Sequence, residues 1–524
     1  MARRFFVLVA LFALLVLTVG SAAAQDAKTV LQAASKAMGA NNLKTIQITG
    51  TGYIAGVGQS YSANDDWPKF QMTSYTKTID YDAKYSREEL TRTQGNYPPR
   101  GGGGTPIQGE QRQTFIVSGN YAWNMEGTNP VPLTTLYLYA IPFAELRQLD
   151  IWLTPHGFLK AAMAASNPTA TRITVAGSSN PGMTQGGKKA TIISFTALGK
   201  YRINGQINDQ NLVEMVQTWV ANPVLGDMLY ETRMTDYKDF AGVKFPTLLH
   251  SHQGDLRRNK GENSIEIRVS NVQPNVNVQA VAIPDAVQKA TVAPVRVESQ
   301  KMADGVFRIA GGTHHSLAVD FRDFVAVIEA PQNEERSLAV IAEVEKLIPN
   351  KPIRYLVNTH HHFDHLGGLR TYATMGTTIV THEANHEFYD RTVLASTPRT
   401  MQPDRFSAQL PYWTGGRQPE FETLNSKYVI SDGVRVLEVH ALEGVAHNAN
   451  MVVAYLPKEK ILVNADLYSP PAPGAPAPGP NPNMMALFRN IQRLKLDVGQ
   501  HVGIHGGVAT GDEFLKIAQT AKTQ

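Results

Sequence analysis

The chain has 524 residues, a formal net charge of +4, no cysteine and 43% hydrophobic residues. Its length predicts two to four domains, with enough apolar content for buried cores. The low net charge and the lack of a long Lys/Arg run argue against an electrostatic nucleic-acid footprint, so no nucleic-acid partner is expected.

The first 24 residues have the pattern of a secretory signal peptide. Arg3 and Arg4 precede an apolar run from Phe5 to about Val19, and small residues continue to Ala24. The run is short for a membrane span. We therefore expect cleavage near Ala24 and a soluble periplasmic or secreted protein. Without cysteine it would have no disulfides and no stable membrane anchor.

Residues 25–281 are expected to form a mainly antiparallel β domain. A helix near residues 27–38 comes first, and a second helix is predicted near 155–166. Alternating apolar and polar residues, separated by Gly, Asn and Pro turns, predict strands. The predicted strands include residues 44–54, 189–198, 211–221 and 263–272.

One stretch of this region resembles periplasmic lipoprotein-carrier-like domains. It is "DYKDFAGVKFPTLLHSHQG", residues 236–254. In such domains a curved antiparallel sheet holds an apolar cavity, so the resemblance implies a lipid or apolar ligand. A structural β domain without a ligand is the alternative.

Residues 282–295 are predicted to be a linker, and the pattern of predicted secondary structure changes after them. Short apolar strands alternate with helices from 296 to 524, which predicts an α/β domain. A helix is expected to bury Leu338, Ile341, Val344 and Ile348 on one face. Twelve of the 15 histidines follow residue 300, so metal chemistry is expected in this half.

The motif "VNTHHHFDHLGG", residues 357–368, needs a chemical explanation. His360 and His362 are two residues apart, so on an extended chain they point the same way, whereas His361 points elsewhere. Imidazole and carboxylate suit zinc. Asp364 and His365 follow at a turn, where they can reach a second ion.

Two ions need more ligands than this motif supplies, and the sequence places further candidates near strand ends. His447 precedes a predicted strand, Asp466 ends another and His505 follows a third. Two metal ions about 3.5–4 Å apart can share a hydroxide. The hydroxide forms near neutral pH because coordination lowers the pKa of water to roughly 7. A metal-bound hydroxide would supply a nucleophile at neutral pH.

With these residues the sequence resembles the metallo-β-lactamase superfamily of metallohydrolases over about residues 296–524. The resemblance implies an αββα sandwich. It also implies that His360, His362 and His447 hold one zinc ion, that Asp364, His365 and His505 hold a second, and that Asp466 bridges both. Asp364 and Asp466 would be the catalytic carboxylates. Iron and manganese are alternative metals.

Departures from the family pattern reduce the number of activities that we expect. The cysteine-using β-lactamases need a thiolate that this chain lacks, and a bridging Asp466 favours the glyoxalase, lactonase and general hydrolase branches. Glu329 stands where an aspartate is usual, and "GIHG" replaces "PGHG" around His505. We expect a zinc-dependent hydrolase of an ester, lactone or amide-like bond in a small molecule. β-Lactamase activity, or a carrier with a metal-binding appendage, is the alternative.

Other histidines receive weaker assignments. His382 and His386 in "HEANH" match a helical zinc-protease motif, but they follow an apolar strand, which favours a non-catalytic role. His314 and His315 lie in a loop that could face the metals. The Pro-rich segment after Asp466 is expected to border the cleft.

Overall fold

The computed structural model describes residues 26–136, 141–175, 187–255, 260–279, 281–395, 398–409, 419–472, 474–476 and 478–520. The predicted signal peptide and its cleavage site lie outside these ranges. Within the described part of the chain, no helix is both long and apolar enough to cross a membrane.

The N-terminal half begins with helix α1, residues 26–37. Among the described residues fifteen strands follow, with two further helices between the eighth and the ninth. The strands are β1 Thr45–Ala55, β2 Lys69–Asp80, β3 Tyr85–Thr93, β4 Gln111–Ser118, β5 Tyr121–Glu126, β6 Asn129–Leu133, β7 Thr135–Leu136, β8 Ile141–Pro142, β9 Thr169–Val175, β10 Lys188–Ala197, β11 Tyr201–Asn208, β12 Val213–Asn222, β13 Gly226–Phe240, β14 Val243–Asp255 and β15 Lys260–Pro274. The helices are α2 Phe143–Trp152 and α3 Pro155–Ala164.

Thirteen of these strands form one antiparallel sheet. Its order is β6-β5-β4-β3-β2-β1-β15-β14-β13-β12-β11-β10-β9, and β7 pairs with β8 alone. Buried and more exposed residues alternate along many of the strands, because one face of the sheet packs on an apolar core. The predicted mainly antiparallel β region is confirmed.

A cavity of about 400 Å³ lies between this sheet and helix α2. Much of its lining is apolar, including Ile48, Ile54 and Phe115. Lys77 lies in the wall as well, with its Nζ 2.8 Å from a carboxylate oxygen of Glu88. The cavity therefore combines an apolar lining with four charged side chains, Lys77, Glu88, Arg147 and Asp150.

The predicted linker includes a short helix, α4 Asp285–Gln288. Val287 in this helix is buried against Tyr85, Ile116 and Trp123 of the large sheet. Helix α4 is thus packed on the N-terminal half, and residues 289–295 after it have no helix or strand.

The C-terminal half contains thirteen strands and seven α-helices among its described residues. The strands are β16 Glu298–Ala303, β17 Val306–Ala310, β18 Ser316–Asp320, β19 Val325–Ile328, β20 Ile353–Val357, β21 Thr378–His382, β22 Phe421–Leu424, β23 Lys427–Ser431, β24 Val436–Ala441, β25 Val452–Leu456, β26 Ile461–Asn464, β27 Gln500–Gly503 and β28 Val508–Thr510. The helices are α5 Glu334–Leu347, α6 Phe363–Leu366, α7 Leu369–Ala373, α8 Glu383–Phe388, α9 Arg405–Gln409, α10 Pro482–Leu494 and α11 Gly511–Thr520, with a π-helical turn at Tyr389–Val393.

The C-terminal strands form two sheets, β16 to β22 and β23 to β28, each in sequence order. Strand β19 shows how the layers pack. Its Ala326 and Ile328 join an apolar cluster with strands of the second sheet, whereas Val325 and Val327 join a cluster with helices α5 and α7. This layering agrees with the predicted αββα sandwich, and the mixed α/β fold class is confirmed.

Helix α5 forms where it was predicted, but its buried face differs in one residue. Val340, Ile341, Val344 and the following Ile348 are buried, whereas Leu338 is only half-buried. The buried face of the helix is therefore rotated slightly from the predicted one, so that Val340 is buried in place of Leu338.

The two halves of the chain contact one another directly. The Arg399 guanidinium donates to the carbonyl oxygens of Pro223 and Val224, each at 2.9 Å, at the turn between β12 and β13. A second contact region lies over the histidine cluster and is described below.

Candidate metal centre

The ends of several strands meet beside the histidine motif. His360 follows β20, Asp466 follows β26 and His505 follows β27. Strands β26 and β27 are parallel, so their carboxyl ends share an edge, and β25 runs antiparallel to β26, so the loop carrying His447 reaches the same edge. Sheet topology thereby gathers residues that are more than 100 positions apart.

The first group of donors is His360, His362 and His447, whose ligand-type atoms lie within 4.8 Å of one another. His360 Nε2 is 2.9 Å from His362 Nδ1. Burial lowers the pKa of all three imidazoles, so they are neutral and keep a lone pair. As the extended-chain argument predicts, His361 points away, with its Nε2 3.1 Å from Ser60 Oγ.

The second group is Asp364, His365 and His505, and it also includes His314. His365 Nε2 is 3.3 Å from His505 Nε2, and His314 Nε2 is 3.1 Å from Asp364 Oδ2. His314 was only a loop candidate in the sequence, and the structure brings it into this group. His315 is not in it; its Nδ1 accepts from the Gly311 N–H at 3.2 Å.

Asp466 lies between the two groups. Its Oδ2 is 2.9 Å from His365 Nε2 and 3.6 Å from His360 Nε2, and its Oδ1 is 3.2 Å from His505 Nε2. The residue has a φ of 58°, a left-handed conformation that Asp tolerates better than most residues. Asp466 thus contacts members of both groups, and its bridging role stays a prediction.

Two buried polar atoms at the centre are poorly satisfied by hydrogen bonds. His447 Nε2 and Asp466 Oδ2 form no properly aligned hydrogen bond within the described part of the chain. Buried polar atoms are normally satisfied, so His447 Nε2 needs a partner that the described residues do not supply, whereas Asp466 Oδ2 has His365 Nε2 2.9 Å away in poor alignment. Metal ions fit that requirement, because both atoms belong to groups with metal-ligand spacing.

The outer nitrogens of several imidazoles are held by groups that only accept hydrogen bonds. His362 Nε2 lies 2.9 Å from the Ser60 carbonyl oxygen, His505 Nδ1 lies 3.0 Å from the Thr313 carbonyl oxygen and His365 Nδ1 lies 2.6 Å from Glu329 Oε2. The outer nitrogens of His365 and His505 must therefore carry the proton, and His362 Nε2 carries it toward the Ser60 carbonyl, which is nearer than Asn448 Nδ2 at 3.3 Å. When these imidazoles are neutral, the inner nitrogens present lone pairs to the centre, which is the tautomer of a metal ligand.

Glu329, the residue that departs from the family pattern, is fully buried. Its second oxygen accepts from the Thr359 N–H at 2.6 Å, so the carboxylate fixes both His365 and the backbone entering the motif. Burial alone would lower the pKa of His365, but the carboxylates of Asp466, Asp364 and Glu329 raise it well above its usual value. The centre therefore attracts positive charge.

Solvent reaches the centre from the side of the second group. The side chains of His505 and Asp364 are 21% and 22% exposed, whereas His360 is fully buried. The Pro-rich segment begins beside this opening, because the Pro470 carbonyl accepts from the Gly507 N–H at 2.7 Å.

Three residues near the centre carry no recognisable signal in the sequence. The Gln59 side chain donates to Asp364 Oδ1 at 2.8 Å, and Ser60 contacts two histidines. Asn448 Nδ2 lies 3.0 Å from His361 Nδ1. Gln59 and Ser60 come from the N-terminal half, about 300 positions before the motif.

The "HEANH" histidines belong to neither group. His382 precedes α8 and its side chain accepts from the Ala384 N–H, while the His386 ring packs on Phe421. Their non-catalytic interpretation stays a prediction.

Comparisons with known proteins give one family match. Residues 312–497 match the family model described as "Metallo-beta-lactamase superfamily". No curated protein matches the chain.

Similar solved structures include a metallo-β-lactamase from Pontibacter korlensis, at 21% identity, a TM-score of 0.31 and coverage of 44% of this chain and all of that one. The metallo-β-lactamase FIM-1 from Pseudomonas aeruginosa, in a mono-zinc form, is 20% identical with a TM-score of 0.31, and the match covers 44% of this chain and 96% of FIM-1. A metallo-β-lactamase from Hirschia baltica is 16% identical with a TM-score of 0.29, and the match covers 43% and 97% of the two chains.

Proposed function

We propose, from the metallo-β-lactamase superfamily domain that residues 312–497 form, that this protein is a hydrolase dependent on two zinc ions. His360, His362 and His447 would hold one ion and Asp364, His365 and His505 the other, with Asp466 shared. His314 is an additional candidate donor at the second ion.

One observation carries the proposal. The inner atoms of these side chains converge within ligand distance of one another, while the outer nitrogens of His362, His365 and His505 face acceptors. An apolar core or a surface cluster gives no reason for this orientation. It directs the lone pairs of His360, His362 and His447 and the carboxylate oxygens of Asp364 and Asp466 at a common centre, an arrangement that cations stabilise.

Zinc ions bound there would supply Lewis acidity, lowering the pKa of water and polarising a carbonyl oxygen. The protein residues set the geometry for this chemistry. Glu329 holds the His365 ring in place, and Asp466 holds the two donor groups together. The side chains of Asp364 and His505 are partly exposed, so water and substrate would enter from their side of the centre.

The substrate class we propose is a small molecule with an ester, lactone or amide-like bond. The lack of cysteine and the bridging position of Asp466 support this class over a cysteine-type β-lactamase. β-Lactam hydrolysis remains the alternative within the same chemistry, because this superfamily changes specificity through loops while keeping its metal site.

The test is a metal analysis joined to a hydrolysis panel of esters, lactones and β-lactams. Wild type should bind two zinc ions and hydrolyse at least one class. His362→Ala should lose metal and activity together. His440→Ala is the matched control, because His440 is also buried in this half but contacts Glu438 instead of the centre. Activity that persists in metal-free wild type would contradict the proposal.

The cavity beside α2 supports a second candidate function, the binding of a lipid or another apolar ligand. Its volume of about 400 Å³ lies in the range of small-molecule sites. Extraction of the purified protein followed by mass spectrometry tests this. A co-purifying amphiphile at near-stoichiometric amount supports it, and an empty protein that takes up no fatty acid contradicts it.

Export to the periplasm or the medium is part of the proposal. Its support is the charged, apolar and small-residue pattern of residues 1–24. Cell fractionation with N-terminal sequencing of the mature protein tests it.

A further inference from the structure

A segment of the N-terminal half, residues 58–61, runs directly over the metal ligands. The Phe363 N–H donates to the Gly58 carbonyl at 3.2 Å, and the Ala449 N–H donates to the Tyr61 carbonyl at 2.8 Å. These backbone bonds tie the segment to the two loops that carry His360 to His365 and His447. We propose that Gln59 and Ser60 of this segment are positioning residues of the metal centre, an inference that rests on the proposed function.

Gln59 fixes the rotation of the Asp364 carboxylate. Its Nε2 donates to Asp364 Oδ1 at 2.8 Å, while its Oε1 accepts from the Gly103 N–H at 3.0 Å. The amide is therefore held at both ends. Asp364 Oδ2 is left directed at His314 and His365, inside the second donor group.

Ser60 sets the tautomer of a ligand in the first group. Its carbonyl oxygen accepts from His362 Nε2, so His362 Nδ1 must be the donor atom that faces His360. The Ser60 hydroxyl lies 3.1 Å from His361 Nε2 and holds that ring away from the centre. One residue of the N-terminal half thus orients two adjacent histidines.

A second loop of the N-terminal half, residues 101–103, also approaches the candidate ligands closely. A Cβ on Gly102 would lie 1.9 Å from Gln59 Oε1 and 2.8 Å from His362 Cε1. A side chain at this position would have to displace the side chains of Gln59 and His362. The Gly101 N–H also donates to the Ala446 carbonyl at 2.8 Å, next to His447.

The consequence is that the N-terminal half is part of the metal centre and not an independent appendage. Partners of metal ligands contribute about 10–100-fold to metal affinity. Loss of the Gln59 amide should act on the second ion, because Asp364 belongs to the second group. The first ion, held by three histidines, should bind almost as before.

The experiment compares Gln59→Met with wild type in the full-length protein. Zinc is titrated against a competing chelator, and cobalt is used as a spectroscopic probe of each site. Gln47→Met is the control, because Gln47 lies in the same half and its amide bonds only Thr78 at 3.1 Å. Thermal unfolding is recorded for every variant.

We expect about 10–100-fold weaker binding of the second zinc ion in Gln59→Met and an altered cobalt spectrum for that site. Gln47→Met should match wild type. Two ions bound by Gln59→Met with wild-type affinity and spectrum would overturn the inference and leave the proposed function intact. A wild type that binds fewer than two ions would instead overturn the proposed function.

Gly102→Ala gives an independent test through steric displacement. Its control is Gly479→Ala, since a Cβ on Gly479 meets no atom within 4 Å. Gly102→Ala should weaken the binding of both ions, because Gln59 and His362 both move. Unchanged affinity at both sites would contradict the inference.

Discussion

Glu329 offers the sharpest test of how the protein supports its metal centre. Its two carboxylate oxygens accept from His365 Nδ1 and from the Thr359 N–H, each at 2.6 Å, and the residue is fully buried. Glu329→Gln keeps the shape but leaves only one acceptor. One of the two donors must then face the amide NH₂ group.

The magnitude follows from these two contacts. A hydrogen bond to a charged group contributes about 1.5–3 kcal/mol, and a buried unsatisfied donor costs about 1–3 kcal/mol more. We therefore expect Glu329→Gln to lower the free energy of unfolding of the metal-free protein by about 3–5 kcal/mol. In the metal-bound protein the affinity for zinc should fall about 10–100-fold.

The assay is urea unfolding of the metal-free protein together with a chelator competition for zinc. Glu438→Gln is the control, because Glu438 also pairs with a histidine, His440, at 2.8 Å, but lies near the surface with its lysine partner, Lys427, 42% exposed. It should cost less than about 1 kcal/mol. If Glu329→Gln destabilises no more than Glu438→Gln and binds zinc as wild type does, the reasoning is refuted.

Two further predictions concern buried groups away from the donor atoms. Burial lowers the pKa of His156 to about 4, so its neutral form stabilises the fold fully above pH 6.5, and this contribution is lost as the pH falls toward 4. Between pH 7.5 and 5 the stability of wild type relative to His156→Gln should fall by about 2 kcal/mol in urea unfolding, and an unchanged difference would contradict this. The guanidinium of the buried Arg336 donates to the carbonyl oxygens of Ile309 and His314. Arg336→Met should therefore lower the free energy of unfolding by about 2–4 kcal/mol. A loss below about 1 kcal/mol in urea unfolding would show that these hydrogen bonds contribute little.

The sequence predicts the metal centre well where its geometry is local. The two-residue spacing of His360 and His362 on extended chain brings their nitrogens together and turns His361 away. His447, Asp466 and His505 lie near strand ends, and the topology of β25 to β27 gathers them. The predicted superfamily resemblance is confirmed over residues 312–497, while the predicted domain boundaries and metal-binding roles stay predictions.

Contacts between distant segments could not be predicted from the sequence. Gln59 and Ser60 lie about 300 positions before the motif, and a backbone carbonyl such as that of Ser60 has no signature in residue type. Glu329 was recognised as unusual, but its two hydrogen bonds depend on a left-handed φ of 73° that periodicity does not encode.

The central claim is that the convergent side chains hold two metal ions. Crystals of the full-length protein with zinc, measured with X-ray energies on both sides of the zinc absorption edge, test it directly. We expect two anomalous peaks about 3.5–4 Å apart, one among His360, His362 and His447 and one beside His365 and His505, with Asp466 touching both. Zinc-saturated crystals with no anomalous peak at these residues would contradict the account.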